Sequence, residues 1–141
     1  MPLQVGDPPR LLREVGFGAV SWWPKPQHMP LLQGLDPHEL VLHWHGDRCL
    51  LPASAQLLAL SLHCPEQAFC LSPSAYSLKF HIEIDSSTLE RWLDEDAAFV
   101  IGALGENGPA RIREEARQWL PLFRQQGRQL IANLYDQLNG L

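Results

Sequence analysis

The chain is short of basic residues, of long apolar runs and of cysteine. Eleven lysines and arginines stand against sixteen aspartates and glutamates, a net charge of −5 over 141 residues. That deficit of cations argues against a nucleic-acid or anionic-membrane surface. No stretch approaches the roughly 20 apolar residues of a membrane-spanning helix. Met1 to Arg10 contains no basic segment leading into an apolar one, so no secretory signal is expected and a cytoplasmic protein is. Cys49, Cys64 and Cys70 are odd in number and lack CxxC spacing, so neither a disulfide framework nor a zinc knuckle is suggested. No internal repeat, low-complexity tract or linker divides the sequence, so a single domain over residues 1–141 is expected.

What is present is globular. Hydrophobic residues make up 45% and charged ones 19%, enough apolar material for a core. Twelve prolines and ten glycines cut the chain into short elements. Phe17 to Trp23 reads as a short strand, and Pro30 to Pro37 as a connection. Glu39 to His45 and Arg48 to Leu51 are strand-like runs separated by Gly46-Asp47, a hairpin-turn signature because glycine supplies the positive φ of a primed turn. Gln56 to Leu62 and Ala68 to Leu71 add two more strands.

The clearest period-two segment is Tyr76 to Asp85, where Leu78, Phe80, Ile82 and Ile84 alternate with Lys79, His81, Glu83 and Asp85. The period then changes. Ser87-Thr-Leu-Glu90 fits a capping box that opens a helix from about Thr88 to Leu104, closed by Gly105. A second helical stretch starts near Ala110, with Pro121 expected to kink or split it. Trp119, Phe123, Leu130, Leu134 and Leu138 form its apolar stripe.

Three clusters could carry chemistry: His43-Trp-His45-Gly-Asp47, His63-Cys64 and His81-Ile-Glu83. Residues two apart on a strand share a face, so His43 projects with His45 and His81 with Glu83. Paired imidazoles with a carboxylate suit zinc or iron, which makes a metal-binding protein using His43 and His45 an outside alternative. It is not the favoured reading. In cupin-type barrels a glutamate ligand follows the His-x-His a few residues later, and here Cys49 and Leu50 occupy that spacing. No metal or other cofactor is therefore expected. A histidine beside a carboxylate is, in contrast, the base-and-orienter half of a nucleophilic triad, which His81 and Glu83 match.

Five segments taken in order carry a resemblance. Glu14-Val-Gly-Phe17, Pro30-Leu-Leu-Gln-Gly-Leu35, His43-Trp-His-Gly-Asp47 with Leu51-Pro52, Cys64-Pro-Glu-Gln-Ala-Phe69 and Tyr76-Ser-Leu-Lys-Phe-His-Ile-Glu83 together resemble class I glutamine amidotransferases. The similarity is greatest to stand-alone proteins like the amidotransferase domain of GMP synthase, and it runs from about Glu14 to Leu93.

The resemblance implies an α/β fold: the C-terminal portion of the amidotransferase domain, with a mixed sheet, a hairpin around Gly46-Asp47 and two C-terminal helical segments. It also implies roles. In that family a cysteine thiolate attacks the side-chain amide of glutamine, ammonia leaves, and water hydrolyses the thioester. His81 matches the catalytic histidine and Glu83 the glutamate that orients it. His45, Gly46 and Asp47 match a turn near the active site and are candidate substrate-binding residues.

The sequence also departs from the family pattern. The family nucleophile sits in a Gly-x-Cys-x-Gly elbow upstream of the Glu-Val-Gly segment, and the thirteen residues before Glu14 contain no cysteine. Glu66 stands where the family has asparagine, Ser77-Leu-Lys-Phe80 replaces Gly-Leu-Gln-Phe, and Phe17-Gly-Ala-Val20 lacks the expected tryptophan. The expectation is a single incomplete domain lacking the nucleophile elbow and inactive alone. Its partners would be glutamine once a nucleophile-bearing chain complements it, and a second copy or partner covering the exposed sheet. A non-catalytic interaction module and a subunit of a split amidotransferase are the alternatives.

Overall fold

A computed structural model describes residues 4–6, 13–62 and 64–140. Seven strands are followed by three helices: β1 (Gln4–Gly6), β2 (Glu14–Trp22), β3 (His38–His45), β4 (Arg48–Leu50), β5 (Gln56–Leu60), β6 (Ala68–Ser72), β7 (Ala75–Leu78), α1 (Ser86–Glu95), α2 (Ala97–Leu104) and α3 (Gly108–Asn139). A 3-10 turn, Pro26–Leu32, joins β2 to β3. No helix among the described residues is long and apolar enough to cross a membrane.

Strands followed by C-terminal helices are the expected order, but the pairing differs from the expected mixed sheet. Five strands form one sheet in the order β3-β2-β5-β6-β7, and each neighbouring pair is antiparallel. Short connections explain this for β5, β6 and β7, because parallel neighbours need a crossover of a dozen or more residues. The sheet curls on itself. Beyond β7 the chain reaches the opposite edge, where His81 bridges Leu42 of β3 through both backbone hydrogen bonds, 2.9 and 3.1 Å.

The expected hairpin around Gly46-Asp47 is not formed. β3 pairs with β2, whereas β4 pairs with β1 in a separate two-stranded sheet. Gly46 does not adopt the positive φ that a primed turn requires; among the described residues only Gly16, Gly34 and Gly105 do. The turn therefore hands the chain from one sheet to another. The period-two run also ends early as a strand, at Leu78, although its alternation survives in burial: Phe80, Ile82 and Ile84 are buried while Glu83 and Asp85 are exposed.

Helix starts and breaks are set by side chains the sequence pattern misjudges. Asp85, rather than Ser87, caps α1, accepting from the Thr88 backbone N–H at 2.8 Å and from the Ser87 hydroxyl at 3.0 Å. Glu90 instead takes the Arg113 guanidinium at 2.9 Å. The expected single helix over 88–104 breaks at Asp96, whose carboxylate accepts from Trp44 Nε1 at 3.1 Å. α3 runs through Pro121 without splitting. Its buried side carries Ile112, Phe123 and Leu130, with Leu134 partly buried behind them, while Trp119 and Leu138 of the expected stripe are exposed.

β3 separates two apolar cores. Val41 faces the inside of the curled sheet with Val20, Trp22, Leu58, Phe80 and Ile82. Leu40, Leu42 and Trp44 face the helices with Leu89, Leu93, Val100, Ile112 and Phe123. The strand period thus assigns His43 and His45 to the inner face. One glycine is needed for this arrangement: a Cβ on Gly127 of α3 would stand 2.5 Å from the Ile82 carbonyl oxygen, so the helix reaches the His81–Glu83 segment only without a side chain there.

Candidate active site

His81 and Glu83 are brought together as their spacing predicts. His81 Nδ1 lies 2.7 Å from Glu83 Oε1, and Glu83 Oε2 accepts from the Ile82 backbone N–H at 2.8 Å. Partial burial pushes the Glu83 carboxyl up, but the hydrogen bond from His81 and the nearby backbone N–H groups outweigh it and hold the carboxyl below its usual range. Glu83 is therefore ionised at neutral pH and can only accept. The neutral imidazole then carries its proton on Nδ1 and keeps a lone pair on Nε2. Side-chain exposures of 31% for His81 and 54% for Glu83 leave the pair reachable from solvent.

The ring is held from two sides. Its backbone is pinned to Leu42 of β3, and its edge contacts the Trp92 ring of α1 at 4.8 Å between centroids. Trp92 leans in turn on Trp44, 5.5 Å away. Two residues beyond Glu83, the Asp85 cap is held down to about 2 by the Thr88 backbone N–H and then by the Thr88 and Ser87 hydroxyls, which anchors the start of the helix that carries Trp92.

The turn residues are placed elsewhere. His45 is buried, and its side chain lies on the face of β3 opposite Trp44. Directly across the strand pair stands Glu14, in register with His45, while Gly16 stands across from His43. A Cβ on Gly18 would come within 2.9 Å of the His43 ring, so β2 makes room for the imidazole. Glu14, with a side chain only 9% exposed, lies 3.8 Å from His43 Nε2 and 3.5 Å from His45 Nε2. Its carboxylate also accepts from Gln67 Nε2 at 2.7 Å and lies 2.9 Å from the Ser61 hydroxyl at both oxygens. Burial, then the charges on Lys79 and His43, push His45 down to about 4, so it is neutral at pH 7. Gly46 lies against Phe99, and Asp47 is exposed.

Glu14, Ser61 and Gln67 were not singled out by the sequence pattern. Glu14 and Gln67 sit inside two of the five segments quoted above, but only strand pairing shows that they share one buried network with the two histidines. Cys64 and Cys70 are buried, and no hydrogen bond or ion pair joins a cysteine to His81 among the described residues. Burial raises the Cys64 thiol despite the opposing charge of Lys79. His63 lies outside the described residues.

No protein-family model matches this sequence, and no curated protein matches it as a relative. Solved structures do match. A glutamine amidotransferase from Thermotoga maritima is similar with a TM-score of 0.76 and 22% identity, over 94% of this chain and 54% of that one. One from Methylobacillus flagellatus is similar with a TM-score of 0.77 and 18% identity, over 96% of this chain and 56% of that one. The fold is therefore that of part of a class I glutamine amidotransferase. The chain spans about half the length of the solved structures it matches.

Proposed function

We propose that residues 1–141 act as the histidine-and-glutamate portion of a class I glutamine amidotransferase, an incomplete domain that works with a cysteine supplied by polypeptide outside them. The observation that carries this reading is the 2.7 Å contact between His81 Nδ1 and Glu83 Oε1, which leaves Nε2 as the only ring atom able to take a proton. In the reaction, Nε2 accepts the thiol proton as sulfur attacks the amide carbon of glutamine. It then returns the proton to the departing nitrogen, which leaves as ammonia. Water, deprotonated at the same nitrogen, hydrolyses the thioester to glutamate. Glu83 orients the ring and stabilises the imidazolium. Gly46 and Asp47 are proposed to border the substrate. His45 supports that turn from inside, since its ring is committed to Glu14.

The test is to mix this chain with a polypeptide carrying a Gly-x-Cys-x-Gly elbow and to measure ammonia release from glutamine. Release that requires both chains and is lost in His81→Ala supports the reading. A complex that forms but releases no ammonia, or one that is unaffected by His81→Ala, overturns it.

A second reading, an interaction subunit, rests on apolar side chains that α3 leaves uncovered: Trp119, Leu122, Ile131, Tyr135 and Leu138 are 39–69% exposed. It predicts a second copy or a partner chain over that helix. A monodisperse monomer in light scattering at high concentration would count against self-association there.

A further inference from the structure

The inner face of β3 offers a site of a different kind. Each ring of a His-x-His pair looks for a carboxylate, and none follows in the sequence at the usual spacing. The structure supplies it from the neighbouring strand, where Glu14 stands in register with His45. One ligand atom from each of Glu14, His43 and His45 falls within 4.8 Å of the others, and the carboxylate reaches both rings, Oε1 standing 3.5 Å from His45 Nε2 and Oε2 3.8 Å from His43 Nε2. Zinc held by imidazole nitrogen and carboxylate oxygen at about 2.0–2.2 Å places its tetrahedral ligands roughly 3.3–3.5 Å apart. The three side chains must close by at most about 1.5 Å to reach that geometry.

We propose that Glu14, His43 and His45 form a buried two-histidine, one-carboxylate site for a divalent transition-metal ion of the zinc class, independent of the reaction assigned to His81. The donor set suits such an ion: two borderline imidazoles and one carboxylate oxygen, gathered on one buried face. Gln67 completes it. Its Nε2 now donates to Glu14, while Oε1, on a side chain with no exposure, has no hydrogen-bond partner among the described residues. Rotating the amide presents that oxygen as a fourth donor and returns Nε2 to the position Oε1 leaves. Lys79 opposes the cation. Its Nζ is buried, has no hydrogen-bond partner among the described residues, and lies close enough for its charge to act on His45. It sets the affinity rather than the ligand set.

The test uses the full chain, stripped by a chelator and titrated with zinc chloride alone, then loaded with Co²⁺ for its visible spectrum. One ion per chain is expected, with a Kd of about 1 µM or tighter. Glu14→Gln and His45→Asn should each weaken binding at least about 100-fold. Lys79→Met should tighten it about tenfold, and His38→Ala, on the exposed end of β3, should change nothing. The absence of saturable binding, or full binding retained in both ligand variants, overturns the proposal. Should a ligand variant fail to fold, the wild-type cobalt spectrum still decides. Tetrahedral d–d bands without a thiolate charge-transfer band support the site; a thiolate band, or no d–d bands, contradicts it.

Discussion

Two histidine regions lie on opposite faces of one strand, and they are built on opposite physical terms. Across the inner face of β3, His43 and His45 are buried with Glu14, Ser61 and Gln67, a network in which Glu14 accepts from Gln67 and contacts Ser61 while Gln67 Oε1 keeps no hydrogen-bond partner among the described residues. Across the outer face, His81 and Glu83 make one short hydrogen bond in a half-exposed position braced by Trp92 and Trp44. The inner network is placed to contribute mainly to stability, because removing a buried partner strands the others. The outer pair is placed for proton transfer, because it holds one tautomer while keeping a ring nitrogen open. A histidine motif on a strand therefore says little about role until the face it occupies is known.

The largest expected effect separates the two by activity. In a complex supplied with a nucleophile, His81→Ala should lower glutamine hydrolysis by at least about 10³-fold while shifting the urea midpoint only slightly. Removing Glu14 should do the reverse. Glu14→Ala removes the acceptor shared by the Ser61 hydroxyl and the Gln67 amide, leaving Ser61 the Cys64 carbonyl and Gln67 the Ser61 oxygen, and should cost about 2 kcal/mol in urea unfolding. Glu83→Ala, at an exposed pair, should cost less than about 1 kcal/mol.

Gly127→Ala tests the link between α3 and the outer pair. With a Cβ 2.5 Å from the Ile82 carbonyl, either the helix or the His81–Glu83 segment must move. A loss of about 2 kcal/mol in urea unfolding is expected, together with a shift in the His81 ring resonances.

A more gradual effect concerns pH on the inner face, further along β3. Burial raises Glu39 to about 7, against the hydrogen bond from Trp22 Nε1, and its Oε1 has no partner among the described residues. The folded state thus binds this proton more tightly than the unfolded chain. Its contribution is full below the unfolded value of 4.5 and is lost as pH rises to about 7. Relative to wild type, Glu39→Gln should therefore gain up to about 2 kcal/mol between pH 4.5 and 8. A variant whose stability tracks wild type across that range would show that Glu39 is already solvated.

Much of the outer site was legible in the sequence. Period-two alternation places His81 with Glu83, and the ordered segments point to the amidotransferase fold. What escaped the sequence was long-range pairing. Gly46-Asp47 looked like a hairpin because local turn chemistry does not reveal that β3 prefers β2 as its neighbour and β4 prefers β1. Glu14 looked like one letter of a motif because only register sets it opposite His45. The Asp85 cap and the break at Asp96 were missed for a similar reason: each depends on which of several polar side chains reaches a free backbone or indole group.

The tautomer of His81 decides whether the pair can transfer a proton. Nitrogen-15 NMR of the chain, with His81→Ala used to assign the resonance, reads it without any added nucleophile. The predicted result is a neutral His81 protonated at Nδ1 and bare at Nε2, reverting toward the ordinary Nε2–H form in Glu83→Ala. A neutral His81 protonated at Nε2 in the wild-type chain, unchanged in Glu83→Ala, would contradict the role assigned to the pair.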